Sequence, residues 1–239
     1  MHQEAAAAAA RCPGTPALSI VVPMLNEAAN LPALIAHLSI WRERACEVVL
    51  VDGGSDDGSV ELARAAGLRV IDSARGRALQ MNAGAALCGG EILLFLHADT
   101  RLPDAADVAV CHALASPARH WGRFDVRIEG RPAMLRVVAA AMNLRSRLSG
   151  IATGDQAIFV RRALFEAVGG FPELALMEDI ALSARLRRQW RPVCLRQRVR
   201  TCGRRWEQRG VWRTIVLMWR LRWAYWRGVP AERLAEAYK

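Results

Sequence analysis

The feature that most constrains the fold is a run of apolar residues at 92–96 that ends abruptly in His97-Ala98-Asp99-Thr100. An unbroken apolar run of this length is typical of a strand that is buried on both faces of a parallel sheet. It ends with an imidazole and a carboxylate two residues apart. Ligands of open α/β sheets bind outside the carboxyl ends of the strands, so this point is a candidate ligand site.

Strand and helix patterns alternate through the first hundred residues. Apolar runs predict further strands at 18–23, 47–51 and 68–71, with helices over 30–40, up to about 66, and over 76–87. This alternation predicts a parallel sheet with right-handed crossovers. Polar loops at 26–27, 52–55 and 97–99 follow three of the strands, and we expect them to meet at one edge of the sheet.

The second half of the chain is less regular. Apolar residues at helical spacing predict helices over 105–115, 133–147, 162–168 and 178–190, and strands are predicted at 121–128 and 156–160. Residues 1–16 lack the basic start of a signal peptide and are predicted to be a disordered leader. No apolar run of about 18 residues occurs, so no membrane-spanning helix is predicted.

Charge and cysteine content narrow the class of partner and the compartment. The net charge is +10 and the isoelectric point is near 10.5. This balance indicates an anionic partner, such as nucleic acid, an acidic membrane surface or a phosphate-rich substrate. The six cysteines form no CxxC pair and no metal-ligand spacing. We interpret them as thiols of a reducing compartment.

Residues 204–239 are predicted to form a helical tail rich in Trp and Arg. On a helical wheel its apolar residues form one stripe: Trp212, Ile215, Val216, Trp219, Trp223 and Trp226. Three arginines lie beside that stripe: Arg213, Arg220 and Arg227. Aromatic residues with flanking arginines are typical of a membrane interface, which makes 206–227 a candidate membrane-surface segment. The alternative is a helix that packs its tryptophans on the domain core.

Six motifs in the chain match one known family in order and spacing. They are VVPMLNE (21–27), VDGGSDDGS (51–59), GRALQMNAGA (76–85), EILLFLHADT (91–100), GDQAIFVRRALFEAVGGF (154–171) and MEDIALSARL (177–186). Together they resemble the family 2 glycosyltransferases, and most closely a bacterial subgroup of small, free-standing members. The resemblance covers about residues 18–190.

This resemblance implies an α/β fold of the GT-A type, that of nucleotide-diphospho-sugar transferases. Such a fold has a mostly parallel central sheet flanked by helices. We therefore expect a catalytic domain over residues 17–203, followed by the amphipathic helical tail at 204–239. Within the domain, 17–101 would be the nucleotide-binding half and 102–203 the acceptor half.

The resemblance also implies the reaction. An inverting enzyme of this family moves a sugar from a nucleotide-diphosphate donor to an acceptor hydroxyl or a lipid phosphate. We expect a UDP- or GDP-linked donor, a divalent cation (Mn²⁺ or Mg²⁺) as cofactor, and no nucleic-acid partner. The expected location is the cytoplasm, with the enzyme free or peripheral on the inner face of the membrane.

Asp99 is the predicted metal ligand. The family usually carries Asp-x-Asp at this point, and its last carboxylate contacts the cation that bridges the two phosphates. This chain departs from the pattern, because His97 replaces the first aspartate. A neutral imidazole can ligate a metal and would favour Mn²⁺ over Mg²⁺. It can instead hydrogen-bond the ribose of the donor.

The remaining donor-binding candidates also match family motifs: Pro23, Asn26, Glu27, Asp52, Arg77, Asn82, Asp155 and Gln156. A carboxylate at Asp52 can accept a ring N–H from uracil or guanine, and Arg77 can stack on the base or reach a phosphate. Three of these candidates also have a structural interpretation. Asp52 can simply begin a turn, Glu27 can assist the N-terminus of the next helix, and Arg77 can be a solvated arginine at a helix start.

Asp179 is the predicted catalytic base, because it matches the aspartate with which inverting members of the family deprotonate the acceptor hydroxyl. A base works only within hydrogen-bond reach of that proton. Glu178 would orient the acceptor or raise the proton affinity of the pair. The alternative is two acids that merely stabilise a helix N-terminus.

Two other classes of function fit parts of the sequence. A nucleotidyltransferase also uses a nucleotide-binding sheet with a carboxylate-held metal, but the loop MLNEAAN after the first strand lacks the expected glycine and lysine. A non-catalytic protein that binds nucleic acid or membranes would fit the net charge of +10 and the Trp/Arg tail. Against it, the carboxylates cluster at the predicted strand ends.

Overall fold

The computed structural model describes residues 17–238, and within them the chain forms one eight-stranded sheet flanked by helices. The predicted disordered leader, 1–16, lies outside the described residues. The strands are β1 Leu18–Met24, β2 Glu47–Asp52, β3 Arg69–Asp72, β4 Ile92–Phe95, β5 Thr100–Arg101, β6 Trp121–Glu129, β7 Phe159–Arg161 and β8 Val193–Cys202.

Most of the helices lie between strands in sequence. They are α1 Leu31–Glu43, α2 Ser59–Ala65, α3 Arg77–Leu87, α4 Ala106–Ala113, α5 Met134–Ser149, α6 Arg162–Ala167, α7 Glu178–Gln189, α8 Arg204–Arg209, α9 Val211–Trp226 and α10 Ala231–Tyr238. A short 3-10 turn, Gly154–Gln156, lies between α5 and β7. The strand order across the sheet is β3-β2-β1-β4-β7-β6-β8-β5.

The first half of the sheet is parallel, as the alternating pattern predicts. β1 pairs in parallel with both β2 and β4, and β2 pairs in parallel with β3. Successive residues of β1 point to opposite faces, so Ile20 packs in the core under α1, while Val21 packs in the core under α3. Both faces are covered, which is why these strands are continuous apolar runs.

The second half mixes strand directions. β7 is antiparallel to both β4 and β6, β6 is parallel to β8, and β5 is antiparallel to β8. The predicted strand at 156–160 was wrong in its bounds, because the chain forms the 3-10 turn first and pairs only over Phe159–Arg161. The sequence analysis missed β8 entirely. Its run VCLRQRVRTC carries three arginines, and several of its side chains are exposed.

The helices α8 to α10 pack against the sheet domain instead of standing apart from it. Leu221 of α9 and Leu234 of α10 form a buried cluster with Met177, and Ile215 packs against the main core. The predicted apolar stripe is therefore divided. Ile215 faces inward, whereas the four tryptophans of α9 have 61–79% of their surface exposed: Trp212, Trp219, Trp223 and Trp226. None of the helices described is long and apolar enough to cross a membrane.

The close approach of β6 to its two neighbours yields a stability prediction. A Cβ added at Gly122 would overlap the carbonyl oxygen of Val193 and the ring of Phe159. We expect Gly122→Ala to destabilise the fold by about 1–3 kcal/mol, because the backbone must shift to relieve the overlap. For a domain of this size that is a fall in melting temperature of roughly 2–12 °C.

The matched control is Arg127→Ala, on the same strand but exposed to solvent. A surface change of this kind should alter stability by no more than about 0.5 kcal/mol. Equal melting temperatures for the glycine variant and the control would contradict the tight strand approach.

Candidate active site

The loops that follow β1 and β2 are joined by hydrogen bonds at the predicted edge of the sheet. The backbone N–H of Asn26 donates to the hydroxyl of Ser55 at 2.9 Å, and that of Glu27 donates to the hydroxyl of Ser59 at 2.9 Å. The side-chain oxygen of Asn26 accepts from the N–H of Asp56 at 3.0 Å. Pro23 lies just before this edge, opposite Val51 in the β1–β2 ladder.

Asp52 ends β2 and organises the loop after it. Its side chain accepts hydrogen bonds from the N–H groups of Gly54 at 2.8 Å and Ser55 at 2.9 Å, and the residue is only 4% exposed. Gly54 has a φ of +90°, a conformation that favours glycine. Asp52 therefore begins a turn, as its structural interpretation predicts.

Asp99 lies in the loop after β4, and Glu27 lies in the loop after β1. Burial raises the pKa of Glu27; a hydrogen bond from Asn30 works against this shift, while the charge of Asp99 adds to it. Asn30 also donates to the carbonyl of Ala98 at 2.8 Å, which connects α1 to the Asp99 loop. Glu27 and Asp99 thus provide two carboxylates at the same edge of the sheet.

His97 is turned toward the 3-10 turn in the second half of the chain. Its Nδ1 lies 3.3 Å from a carboxylate oxygen of Asp155, and its ring packs so closely on Gly154 that a Cβ there would overlap it. Within the part of the chain that is described, no group of three or more His, Cys, Asp or Glu side chains could hold a metal by itself.

Asp179 and Glu178 begin α7, after Met177, which has a φ of +70°. One carboxylate oxygen of Asp179 accepts from the N–H of Gly154 at 2.7 Å, and the other accepts from the N–H of Ile180 at 2.7 Å. The loop that packs on His97 thus also holds Asp179. A small cavity connects these groups, lined by Met81, Phe95, His97, Gly154, Ile158, Phe171, Glu178 and Asp179.

Glu178 is a buried acid, 3% exposed, with an ion-pair distance of 3.6 Å to Arg77. Burial raises its pKa, and the negative charge of Asp179 raises it further, while Arg77 and His97 act in the opposite direction. Arg77 therefore connects α3 of the first half to α7 of the second half. Glu178 therefore keeps its proton to a higher pH than an ordinary glutamate does.

The side-chain amides of Asn82 and Gln156 form hydrogen bonds within the protein. Asn82 donates to the carbonyl of Phe171 and accepts from its N–H, both at 2.9 Å. Gln156 is fully buried; its oxygen accepts from the N–H of Thr153 at 3.2 Å, and its nitrogen donates to Asn143 at 3.3 Å. Both residues hold loops that border the cavity.

Three arginines near these acids were missed by the sequence analysis: Arg145, Arg205 and Arg222. Arg205 follows β8, and because β8 pairs with β5, the residues after Thr201 come close to the Asp99 loop. Burial lowers the pKa of Arg205, as do the charges of Arg77 and Arg209, whereas Asp155 and Asp99 raise it. The alternating pattern of residues 193–202 is the sequence signal from which the position of Arg205 could have been predicted.

Comparison with known proteins gives the family and its relatives. Residues 19–120 match the glycosyl transferase family 2. A PGL/p-HBAD biosynthesis glycosyltransferase of Mycobacterium bovis is 34% identical over 163 residues, covering 65% of this chain and 63% of that protein. An undecaprenyl-phosphate 4-deoxy-4-formamido-L-arabinose transferase of Aeromonas hydrophila is 35% identical over 97 residues, covering 36% of this chain and 30% of that protein. The chain thus spans less than two thirds of these relatives' length.

A solved structure gives the fold. The mannosyltransferase PcManGT from Pyrobaculum calidifontis, in complex with GDP-Man and Mn²⁺, matches with a TM-score of 0.62 and 22% identity. The match covers 89% of this chain and 62% of that one. It confirms the predicted GT-A fold, with a mostly parallel sheet flanked by helices.

The raised pKa of Glu178 yields a prediction for stability against pH. The charged form is disfavoured in the folded state, so the wild type loses stability as the pH rises from the unfolded pKa of glutamate through its raised folded value. We expect Glu178→Gln to be more stable than the wild type at pH 7, with the difference vanishing at acid pH. Denaturant unfolding at several pH values measures this.

Glu173→Gln is the control, since that side chain is exposed on the segment before α7. Its difference from the wild type should not depend on pH. A Glu178→Gln variant that is less stable than the wild type at pH 7 would show that the ion pair with Arg77 outweighs burial.

Proposed function

We propose that this chain, which belongs to the glycosyl transferase family 2, moves a sugar from a nucleotide-diphosphate donor to an acceptor with inversion at the anomeric carbon. The observation that carries the proposal is Asp179, held by the N–H of Gly154 beside a cavity that His97 also lines. Family membership argues against the nucleotidyltransferase and the non-catalytic alternatives.

The donor diphosphate would lie at the edge where β1, β2 and β4 end. Burial lowers the pKa of Arg205, the nearby charge of Arg77 adds to this, and the charges of Asp155 and Asp99 act in the opposite direction. Two guanidinium groups at such a point suit a diphosphate, since arginine binds phosphate oxygens in a fork. The GDP-Man complex of the Pyrobaculum enzyme supports a UDP- or GDP-linked donor.

The residues at this edge fit a divalent cation. Mg²⁺ and Mn²⁺ commonly bind through one or two carboxylates and take their other ligands from substrate phosphates and water. Asp99, with Glu27 nearby, supplies such oxygens, and Mn²⁺ is present in the Pyrobaculum complex. When bound, the cation would neutralise charge on the leaving diphosphate. His97 is the second candidate ligand, although its Nδ1 faces Asp155.

Asp179 would act as the base. It takes the proton of the acceptor hydroxyl while that oxygen attacks the anomeric carbon, and the nucleoside diphosphate leaves from the opposite face with the bonding electrons. A single displacement of this kind inverts the configuration. The two backbone hydrogen bonds to Asp179 fix its carboxylate, which suits a group that must stay within reach of the proton.

The exposed face of α9 supports docking on an anionic membrane surface. Its four tryptophans are more than half exposed, and Arg213, Arg220 and Arg227 lie beside them. Tryptophan side chains insert at the lipid headgroup level, and arginines attract anionic lipids. A lipid phosphate acceptor, as in the name of the Aeromonas relative, would be reached from this position.

Two substitutions test the roles of the acids in one set of assays. We expect Asp179→Asn to lower transfer by about 100- to 10,000-fold, because the general base is lost. Binding of a nucleoside diphosphate with Mn²⁺ should still raise its melting temperature by roughly 5–10 °C at 100 times the dissociation constant. Asp99→Asn should lose the part of that rise that depends on Mn²⁺.

Asp104→Asn is the control, because this acid is exposed a few residues after Asp99. It should keep both the metal-dependent rise and the transfer rate. Near-normal transfer by the Asp179 variant would refute its role as base, and an undiminished Mn²⁺ effect in the Asp99 variant would remove Asp99 from the metal site.

Membrane docking is tested with a double variant of α9, Trp219→Ala with Trp223→Ala. We expect its binding to anionic vesicles to weaken by at least about tenfold, because each tryptophan buries apolar surface in the interface. Sedimentation with vesicles measures this. Leu87→Ala, an exposed apolar residue on α3, is the control. Equal binding by the two variants would refute the docking face.

A further inference from the structure

Two arginines without a carboxylate partner lie beside Asp179. Arg145 is on α5, and its Nε and Nη2 are buried without a hydrogen-bond partner among the described residues. Arg222 is on α9. No ion pair within residues 17–238 involves either arginine. The charge of Asp179 nevertheless acts on both, and that of Asp155 acts on Arg222.

The packing of α9 explains how these groups converge. Leu221, the residue before Arg222, is buried against Met177, the residue before Glu178. Ile180 packs against the same cluster. This packing brings Arg222 of α9 near the start of α7, and the charge of Asp179 acts on both Arg222 and Arg145 of α5.

The neighbouring arginines differ, because each of their guanidinium groups makes an ion pair or a hydrogen bond, although the Nε of Arg123 is also buried without a partner. Arg123 and Arg147 both pair with the carboxylate of Asp125. Arg187 donates to the carbonyl of Ser149 at 2.6 Å. Arg145, in the same region, has a buried Nε and Nη2 for which residues 17–238 supply no hydrogen-bond partner. The pattern indicates a binding group, since a structural arginine normally satisfies its donors.

The electrostatics agree with the geometry. Burial lowers the pKa of Arg145 to about 10, and the like charge of Arg222 contributes to this. Both arginines remain protonated at neutral pH, so the two partly buried positive charges repel each other. Such an arrangement is unfavourable unless an anion occupies the space between them.

We propose that Arg145 and Arg222 form an anion-binding subsite for the acceptor, and that the acceptor carries a phosphate group next to its reacting oxygen. This rests on the proposed function, because Asp179 serves as the base beside the subsite. Two guanidinium forks match the charge and the oxygen geometry of a phosphate monoester. The ester is borne either by a membrane lipid, next to the tryptophan face of α9, or by a soluble molecule.

The first experiment measures the binding of inorganic phosphate by calorimetry at constant ionic strength. Each loss of a charge-assisted contact is expected to weaken binding by about 10- to 100-fold. Arg145→Gln and Arg222→Gln should both show this loss. Arg136→Gln, an exposed arginine on the same helix as Arg145, should bind phosphate like the wild type.

The second experiment identifies the source of the phosphate. The probes are vesicles of phosphatidylcholine that contain phosphatidic acid, a lipid phosphate monoester, and vesicles with phosphatidylserine at equal charge. A preference for phosphatidic acid that disappears in Arg145→Gln and Arg222→Gln assigns a lipid phosphate. Loss of inorganic phosphate binding without any such preference assigns a soluble phosphate ester.

Stability separates a binding role from a structural one. Without phosphate, removing one of two positive charges that repel each other should leave the melting temperature of Arg145→Gln or Arg222→Gln equal to or above that of the wild type. Phosphate affinity within about twofold of the wild type in both variants overturns the subsite, as does a variant that unfolds without phosphate.

The phosphate titration needs neither donor nor transfer, so it is independent of the proposed reaction. If Arg145→Gln and Arg222→Gln lose phosphate binding while Asp179→Asn still transfers sugar normally, the subsite is supported and the role of Asp179 as base is refuted. If Arg145→Gln and Arg222→Gln bind phosphate like the wild type while Asp179→Asn is inactive, only the subsite is refuted.

Discussion

Parallel pairing of β1 with both β2 and β4 is the constraint on which the site depends. The strands run in the same direction, so the chain must leave all three at the same edge of the sheet. Asn26, Asp52 and Asp99 follow these strands and meet there. The strands themselves are buried apolar runs on both faces of the sheet, and side-chain hydrogen bonds join the loops at this edge.

The second half of the chain supplies the groups that face this edge. The 3-10 turn at 154–156 is central, because Gly154 packs on His97 and also donates to Asp179. A single backbone position therefore joins the end of β4 to the start of α7. The absence of a Cβ at Gly154 permits the close approach of the His97 imidazole, so this residue sets the distance between the end of β4 and the 3-10 turn.

Charge is distributed unevenly over the molecule. Many arginines are neutralised locally, as Arg123 and Arg147 are by Asp125. Around the cavity the balance is different. Glu178 is buried with a raised pKa, and Arg145, Arg205 and Arg222 have pKa values lowered first by burial. A site that carries unfavourable charges of both signs is costly to fold, which is typical of functional sites that bind a charged ligand.

The sequence by itself determined the parallel half of the sheet, the loops at its edge and the acids at the start of α7, because local periodicity and strand-end chemistry are properties of short segments. Only the tertiary structure decided the rest. The pairing of β8 with β5 brings Arg205 to Asp99, and the packing of Leu221 on Met177 brings Arg222 to Asp179. These contacts join residues that lie tens of positions apart, and no local pattern encodes them. Likewise, only the folded chain shows that the side-chain amides of Asn82 and Gln156 form hydrogen bonds with the backbone of neighbouring loops. The reason is that a side-chain amide bonds to whichever backbone the fold places beside it.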